Sequence, residues 1–164
     1  MTRRQILLAG AGALALFGIV RLTNNRPAVK TSETFETMHS DAEWRQLLTP
    51  AQYAVLREHG TERPYSSPLN SEKRAGVFAC AGCGLPLFSS DTKFDSGTGW
   101  PSFWRPHDNA VGTTGDTRFG LRRIEVHCRR CGGHLGHVFD DGPRPTGLRY
   151  CMNGVAMTFA PAAA

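Results

Sequence analysis

The chain has 164 residues, a formal net charge of +5 and 40% apolar residues, which is typical of one small globular domain with a short extension. Four of its 19 basic residues lie within the first 26 positions, which contain no acid, so the rest of the chain holds 15 basic and 14 acidic residues. This balance excludes the overall positive field that attracts nucleic acid, and the ordinary composition excludes a disordered or repeat protein.

The first 21 residues have the pattern of an export signal. A pair of arginines precedes an Ala/Gly/Leu-rich run that ends at Arg21, and at about 15 residues this run is short for a membrane-spanning helix. The order of residues 2–7 resembles a twin-arginine signal, with a general signal or an uncleaved anchor as alternatives. We expect a signal and tether over residues 1–30, a folded domain over 31–164, and a periplasmic or otherwise exported protein. No stable membrane domain is expected unless the signal stays uncleaved.

Two short helices are predicted at the start of the folded domain. Residues 40–43 and residues 49–52 both have the spacing of a capping box, and apolar residues follow each of them. We therefore expect helices over about 41–48 and about 50–58. Gly60 is expected to close the second helix in the left-handed conformation.

Short apolar runs separated by glycine and proline follow, and they predict β-strands. In residues 121–128 apolar and polar side chains alternate with a period of two, which indicates one buried face. Because no βαβ rhythm is present, the expected fold is mainly β, with an antiparallel core of two small sheets and short N-terminal helices. The candidate strands are Val77–Cys80, Leu85–Phe88, Leu121–Cys128, Leu135–Phe139, Leu148–Met152 and Val155–Phe159.

Four of the five cysteines form two C-x-x-C pairs. Cys80 pairs with Cys83 and Cys128 with Cys131, and a glycine follows the second cysteine of each pair, as a tight turn requires. Four thiolates without an open position suit a structural zinc ion, which would staple two distant β segments together. We therefore predict one structural zinc per chain. A redox-active C-x-x-C and paired disulfides are the alternatives, and export to an oxidising compartment favours both.

The remaining cysteine, Cys151, is a candidate nucleophile. Cys151 and Asn153 are two residues apart in a predicted strand, so their side chains point to the same face. His134 and His137 supply imidazoles that exchange protons near neutral pH, which a cysteine nucleophile requires. Trp100 lies in a Gly/Pro-rich loop, where it is placed to line a small apolar pocket. Taken singly, each of these residues is more often a buried core residue than a functional one.

Together these motifs resemble the B-type methionine sulfoxide reductases, in their zinc-containing branch. The resemblance covers residues 40–160 and includes both C-x-x-C pairs. It rests further on five stretches in the family's order, which are residues 60–62, 95–103, 123–126, 134–143 and 147–153.

The resemblance implies reduction of the R epimer of methionine sulfoxide, mainly in peptides and proteins, as a repair reaction. Cys151 would attack the sulfoxide sulfur, release methionine and become a sulfenic acid. His137 would help to protonate the departing oxygen. His134 and Asn153 would orient the substrate and the histidine by hydrogen bonding.

The resemblance also implies the substrate-binding side chains and the partners. Trp100 would pack on the ε-methyl group, and Phe139 and Arg149 would complete the substrate site. Thr98 stands where many family members carry a second, resolving cysteine, so we expect an outside thiol, from a thioredoxin-like protein or a small molecule, to reduce the sulfenic acid. No nucleic-acid partner is expected. A zinc-knuckle binding module and a thiol–disulfide oxidoreductase are the alternative functions.

Overall fold

The computed structural model describes residues 34–120 and 122–163, which form two short helices followed by two antiparallel sheets. The expected mainly β fold is confirmed. The predicted export signal and tether over residues 1–30 lie outside the described residues. Within the described part, none of the helices has the length and apolar character needed to cross a membrane.

Both helices begin with the predicted capping box. Before helix α1 (Asp41–Leu47), the Ser40 hydroxyl accepts from the Glu43 N–H and the Glu43 carboxylate accepts from the Ser40 N–H. Helix α2 (Pro50–Leu56) repeats this arrangement with Thr49 and Gln52 and carries proline at its first position. These caps satisfy N–H groups that the helix itself leaves without partners. The helices bury Trp44, Tyr53, Val55 and Leu56.

The end of α2 differs from the expectation. His59, with φ of 56°, takes the left-handed conformation that the sequence assigned to Gly60. The Gly60 N–H reaches back to the Ala54 carbonyl at 2.8 Å, and the left-handed residue lies one position earlier than expected. Histidine is among the residues that accept this conformation more often than most, and here it turns the His59 side chain toward the larger sheet.

The strands of the described chain form a three-stranded sheet in the order β2-β1-β9 and a six-stranded sheet in the order β3-β4-β8-β7-β6-β5. Every pairing is antiparallel. The strands are β1 (Gly76–Cys80), β2 (Pro86–Ser89), β3 (Lys93–Phe94), β4 (Ser102–Phe103), β5 (Val111–Asp116), β6 (Arg123–Cys128), β7 (His134–Phe139), β8 (Arg149–Met152) and β9 (Met157–Pro161).

Three of these strands, β3, β4 and β5, were not among the predicted ones. Strands β3 and β4 have two residues each, too few to show an alternation of apolar and polar side chains. Strand β5 is an edge strand of sequence VGTTGD, and its middle residues are exposed. An edge strand with one solvated face does not need the apolar residues by which a strand is identified in a sequence.

Aromatic side chains join the two sheets. Phe103 of the larger sheet stacks on Phe88 with ring centroids 4.3 Å apart and meets the edge of Phe78 at 4.9 Å. Phe78 and Phe88 belong to β1 and β2 of the smaller sheet, and all three rings are fully buried. Large rings in such stacked and edge-to-face contacts contribute strongly to a core. This cluster fixes β4 beside the strands that carry the candidate site.

Candidate functional site

Cys151 lies in the interior of the six-stranded sheet. Its strand β8 is paired on one side with β4, where Ser102 is opposite Cys151, and on the other side with β7, where His137 is opposite it. Side chains of directly opposed residues share a face of the sheet and lie about 5 Å apart at Cβ. The register therefore places a hydroxyl, a thiol and an imidazole in one row.

A β-bulge brings the second histidine to the same face. In a regular strand His134 and His137 point to opposite faces because they are three residues apart. The register between β6 and β7 shifts, so that Val126 opposes Gly136 while His127 opposes His134 and Leu135 is left over. The extra residue restores the phase, and the two imidazole centroids lie 5.5 Å apart.

Gly136 allows the close approach of β7 and β8 at this point. It opposes Met152, and a Cβ at this position would collide with the Cys151 carbonyl oxygen and press on Met152. The glycine between the histidines thus lets their strand lie against the strand that carries the thiol.

A cavity of about 210 Å³ opens over this row of side chains. Of the predicted site residues, the structure brings five to its wall, whereas His134 lies beneath it and Arg149 beside it. A larger cavity of about 660 Å³ lies next to it, but no cysteine or histidine lines that space. The smaller cavity is therefore the candidate reaction site. It is lined by Thr61, Trp100, Arg123, Gly136, His137, Phe139, Cys151 and Asn153.

The Cys151 thiol is half-buried, and its surroundings act on its pKa in opposite directions. Burial raises the pKa, because the thiolate loses solvation by water. The Thr98 hydroxyl as a hydrogen-bond donor and the charge of Arg149 oppose this rise without cancelling it. Thr98 Oγ1 lies 3.8 Å from Cys151 Sγ. The resting group is therefore a neutral thiol held beside groups that favour the thiolate.

A chain of hydroxyl groups supports Thr98 behind the sulfur. Ser96 Oγ lies 2.8 Å from Thr98 Oγ1 and 2.7 Å from Ser102 Oγ, and Ser102 Oγ donates to the Trp100 carbonyl at 3.1 Å. Ser102 is buried. These bonds tie the glycine-rich loop that carries Trp100 to strand β4, and so fix one wall of the cavity.

His137 is held by a buried carboxylate. Asp116, on edge strand β5, accepts from His137 Nε2 at 2.8 Å and from Arg123 at 2.9 Å. The bonds from His137 and Arg118 keep the pKa of Asp116 far below its usual range. Burial lowers the pKa of His137, and the hydrogen bond to Asp116 opposes that effect. Because ionised Asp116 only accepts, it places a proton on Nε2 and leaves Nδ1 as the nitrogen for exchange.

His134 is held by a second carboxylate. Glu125, opposite His137 on β6, accepts from His134 Nδ1 at 2.7 Å and from His59 Nδ1 at 2.9 Å. Burial disfavours the ionised form of Glu125, but the two histidines outweigh it and hold the pKa of Glu125 below its usual value. His134 Nε2 is buried and has no hydrogen-bond partner among the described residues. Such an atom is satisfied when a polar group of a ligand or water reaches it.

Asn153 belongs to a hydrogen-bonded clamp at the rim. Its side-chain oxygen accepts from the Glu62 N–H at 3.0 Å, and its side-chain NH₂ donates to the Leu135 carbonyl at 3.0 Å. Trp100 Nε1 donates to the Glu62 carbonyl at 3.1 Å. The Glu62 carboxylate in turn accepts from the N–H groups of Gly154 and Val155. Glu62 thereby joins the indole wall of the cavity to the turn after Asn153.

Arg149 and Phe139 form the outer wall. They oppose each other on β8 and β7, and the guanidinium lies over the Phe139 ring, 4.4 Å from its centroid. Two parallel bonds of 2.8 Å hold the guanidinium to the Asp141 carboxylate. This bidentate pair fixes a positive charge near the thiol and an aromatic face at the cavity mouth.

Sequence reasoning missed the carboxylates that organise the site. Glu62 and Glu125 lie inside motifs that were used only for the resemblance, and Asp116 lies in a strand that was not predicted. Each carboxylate contacts a residue from another part of the fold, and the sequence alone does not show which segments lie together. For Glu125, the alternation in residues 121–128 was misleading: it set the acid among the polar residues opposite the buried face, whereas Glu125 and His127 are buried and Ile124 is exposed.

The four remaining cysteines converge at the ends of β1 and β6. Cys80 Sγ and Cys131 Sγ are 3.7 Å apart, and Cys83 Sγ and Cys128 Sγ are 3.5 Å apart. All four sulfurs lie within 4.8 Å of one another. A tetrahedral zinc with bonds of about 2.3 Å holds its sulfurs about 3.8 Å apart, so these residues fit such an ion. The cluster joins the smaller sheet to the larger one.

The knuckles that carry these cysteines are built alike. The Gly84 N–H bonds to the Cys80 carbonyl at 2.8 Å, and the Gly132 N–H bonds to the Cys128 carbonyl at 2.9 Å. Both glycines have positive φ, of 71° and 68°. The predicted role of glycine in these turns is confirmed.

Comparison with known proteins agrees with this arrangement. Residues 48–161 match the model of the SelR domain. The chain is 57% identical over 123 residues to a peptide methionine sulfoxide reductase MsrB of Agrobacterium fabrum, covering 74% of this chain and 91% of that protein. The protein of the same name from Pseudomonas putida is 59% identical over 120 residues, with 73% and 90% covered. The one from Bradyrhizobium diazoefficiens is 53% identical over 137 residues, with 82% and 99% covered. The chain belongs to the SelR domain family.

Proposed function

We propose that the chain reduces the R epimer of methionine sulfoxide to methionine, mainly in peptides and proteins, and so repairs oxidised proteins. The observation that carries the proposal is the position of the Cys151 thiol, which lies opposite His137 at a small cavity with an aromatic wall. The named relatives support it. Nothing in the comparisons supports the zinc-knuckle binding module.

Cys151 acts as the nucleophile. Its sulfur attacks the sulfoxide sulfur, and the oxygen passes to the cysteine, which becomes a sulfenic acid. The substrate sulfur gains two electrons and leaves as a thioether, while the cysteine sulfur loses two electrons. The Thr98 hydroxyl and the charge of Arg149 stabilise the thiolate that this step needs.

His137 supplies the proton that the sulfoxide oxygen needs in order to leave the substrate sulfur. Burial lowers the pKa of the His137 imidazole, so the protonated ring gives up its proton readily. The hydrogen bond to Asp116 raises that pKa and so helps the ring to take up a proton again. With Nε2 bonded to Asp116, Nδ1 is the nitrogen that exchanges the proton. General acid catalysis of this kind contributes about 10²–10⁴-fold to a rate.

The cavity wall recognises the methionine side chain. Trp100, fixed by its bond to Glu62, packs on the ε-methyl group, and Phe139 covers the side-chain carbons. His134, with its unpartnered Nε2, lies beneath this wall, and Asn153 holds the wall in place. Arg149 keeps a positive charge at the mouth of the cavity.

An outside thiol restores the enzyme. The described residues contain all five cysteines of the chain, and four of them form the metal-ligand cluster. Thr98 occupies the place next to Cys151 where a resolving cysteine would stand. A thioredoxin-like dithiol or a small thiol therefore reduces the sulfenic acid with two electrons and two protons, releases water and becomes a disulfide.

The four-cysteine cluster binds one structural zinc ion. Four thiolates leave no open coordination position, so the ion holds the two sheets together and takes no part in the reaction. Since both C-x-x-C pairs contribute to the same cluster, neither pair is available as a redox dithiol. This argues against the thiol–disulfide oxidoreductase.

The export pattern of residues 1–21 supports a periplasmic location, reached by the twin-arginine route. Folding before export would load the zinc while the thiols are still reduced. Replacing Arg3 and Arg4 with lysine should leave the protein in the cytoplasmic fraction of the cell. Equal amounts of both forms in the periplasm would contradict the proposed route.

The function is tested by turnover of the separated sulfoxide epimers of a blocked methionine, with dithiothreitol as reductant. We expect reduction of the R epimer alone, and none by Cys151→Ser, which should still hold one zinc per chain. Reduction of the S epimer, or wild-type activity in Cys151→Ser, would contradict the proposal.

A further inference from the structure

The cavity of about 660 Å³ lies directly beside the reaction site. Its volume falls within the range of about 300–1,000 Å³ that is usual for small-ligand sites. The reaction cavity, at about 210 Å³, takes little more than one side chain. None of the groups assigned to the reaction needs the larger space.

The walls of the larger cavity are mainly apolar. Helix α2 contributes Ala51, Ala54 and Val55, and the turn and strand after Asn153 contribute Val155 and Met157. Arg63 is the one charged residue among the described residues of this lining besides Glu62, whose carboxylate is already engaged with backbone N–H groups. The apolar part of the lining suits an apolar side chain.

The two cavities share one thin wall. Thr61 lines both of them, and the consecutive residues Asn153 and Gly154 line the smaller and the larger one respectively. Consecutive Cα atoms are about 3.8 Å apart. A fully extended peptide points neighbouring side chains to opposite faces, so a peptide that places adjacent side chains in both cavities bends at this shared wall.

We infer that the larger cavity binds the apolar side chain of a residue flanking methionine sulfoxide in a peptide substrate. This inference rests on the proposed function, because it requires the sulfoxide side chain to bind in the adjacent smaller cavity, against Cys151 and Trp100. It makes the enzyme selective among oxidised methionines: those beside a large apolar residue are repaired faster than those in polar or glycine-rich segments.

Three blocked tripeptides test the selectivity. Each carries methionine R-sulfoxide at its centre, with leucine before it, leucine after it, or glycine on both sides. We expect kcat/KM for at least one leucine peptide to exceed that of the glycine peptide by about tenfold, which corresponds to about 1.4 kcal/mol. Equal values for the three peptides would overturn the inference.

Variants at the wall locate the selectivity. Ala54→Phe fills the cavity from helix α2, and Ala51→Phe does so from its edge if the first variant folds poorly. Either should abolish the preference for leucine while blocked methionine R-sulfoxide is still reduced at the wild-type rate. Ala42→Phe, at an exposed alanine of α1 outside the cavity, is the matched control and should keep the preference.

The outcomes separate this inference from the proposed function. If the wild type does not reduce blocked methionine R-sulfoxide at all, the proposed function fails. If it does, but Ala54→Phe and Ala51→Phe both keep the leucine preference, the cavity is not its source. A raised KM for a thioredoxin-like reductant, with peptide selectivity intact, would assign the cavity to the reductant and overturn the inference.

Discussion

Asp116 determines which proton His137 can give. The carboxylate is buried and its pKa is far below the usual range, so it is an ionised acceptor at neutral pH. It therefore fixes the tautomer of the imidazole and raises its basicity against the effect of burial. Asp116 acts through His137 and is a positioning residue.

Replacing Asp116 with asparagine should move the pH dependence of the reaction. Loss of the Asp116 carboxylate lowers the pKa of His137 further. The imidazole of the variant therefore loses its proton at a lower pH than that of the wild type. We expect the descending limb of kcat/KM that follows His137 to shift downward in pH, and activity at neutral pH to fall about tenfold to hundredfold. An unchanged limb would contradict this role. Asp108→Asn, at an exposed surface pair, is the control.

In the proposed reaction, Thr98 accounts for the need for an outside reductant. Since Thr98 Oγ1 lies 3.8 Å from Cys151 Sγ, Thr98→Cys should place a thiol within reach of the sulfenic acid after a small shift of the loop. We expect an internal disulfide after one turnover without reductant, seen by mass spectrometry, and a sulfenic acid or its adduct in the wild type. Thr98→Ser should behave like the wild type. An internal disulfide in the wild type would implicate a cysteine of the metal cluster.

The sequence allowed the cysteines and the two histidines to be identified as candidates, but not the carboxylates around them. The thiol, the two imidazoles and the four metal-ligating cysteines are scarce residue types in short motifs, so spacing and resemblance were enough. Asp116, Glu125 and Glu62 are common residue types, and their roles follow from partners 21, 9 and about 90 residues away. Only strand register and loop packing create those pairs.

At the scale of single elements, the bulge in β7 and the turn after β8 set the geometry of the site. The bulge at Leu135 aligns the two histidines, and no periodic pattern in the sequence announces it. The 3-10 turn Gly154–Ala156 follows Asn153 and receives the Glu62 carboxylate at its first N–H groups. The acid thus acts as a cap that also fixes the wall of the cavity.

Glu62→Gln should weaken this clamp. An amide has only one acceptor oxygen, so one of the two buried N–H groups of the turn loses its partner. We expect a loss of about 1–3 kcal/mol in the free energy of unfolding by urea and a lower kcat/KM. Glu58→Gln, at an exposed pair, should change stability by less than about 0.5 kcal/mol. Equal unfolding midpoints in the two variants would show that the clamp has no energetic role.

At the scale of the whole molecule, the fold consists of two small sheets of short strands, and contacts between the sheets stabilise both. The aromatic cluster of Phe78, Phe88 and Phe103 joins them at one place and the cysteine cluster at another. Arg57 ties helix α2 to the same corner through the Cys131 carbonyl at 3.1 Å. A metal at that corner closes long loops of the chain, which is where a cross-link stabilises most.

Cys128→Ser should remove the metal and much of the stability. Only three cysteine ligands remain at the junction of the sheets, so the metal is held less tightly. Structural zinc contributes directly to folding, so its loss lowers stability. We expect less than one zinc per chain by atomic emission and a lower Tm than the wild type. Cys151→Ser is the matched control and should keep both the zinc and the Tm. A metal-free Cys128→Ser protein of unchanged Tm would contradict a structural role.

The place of Cys151 within the sheet also decides how recycling proceeds. Neighbours on both sides anchor its backbone, so the oxidised sulfur is a stationary target that cannot swing outward to meet a second thiol. In the proposed recycling step, the outside reductant must therefore extend its attacking sulfur into a recess rimmed by aromatic rings. In the same proposed step, a reductant with a recessed thiol should reduce the sulfenic acid more slowly than one whose thiol protrudes.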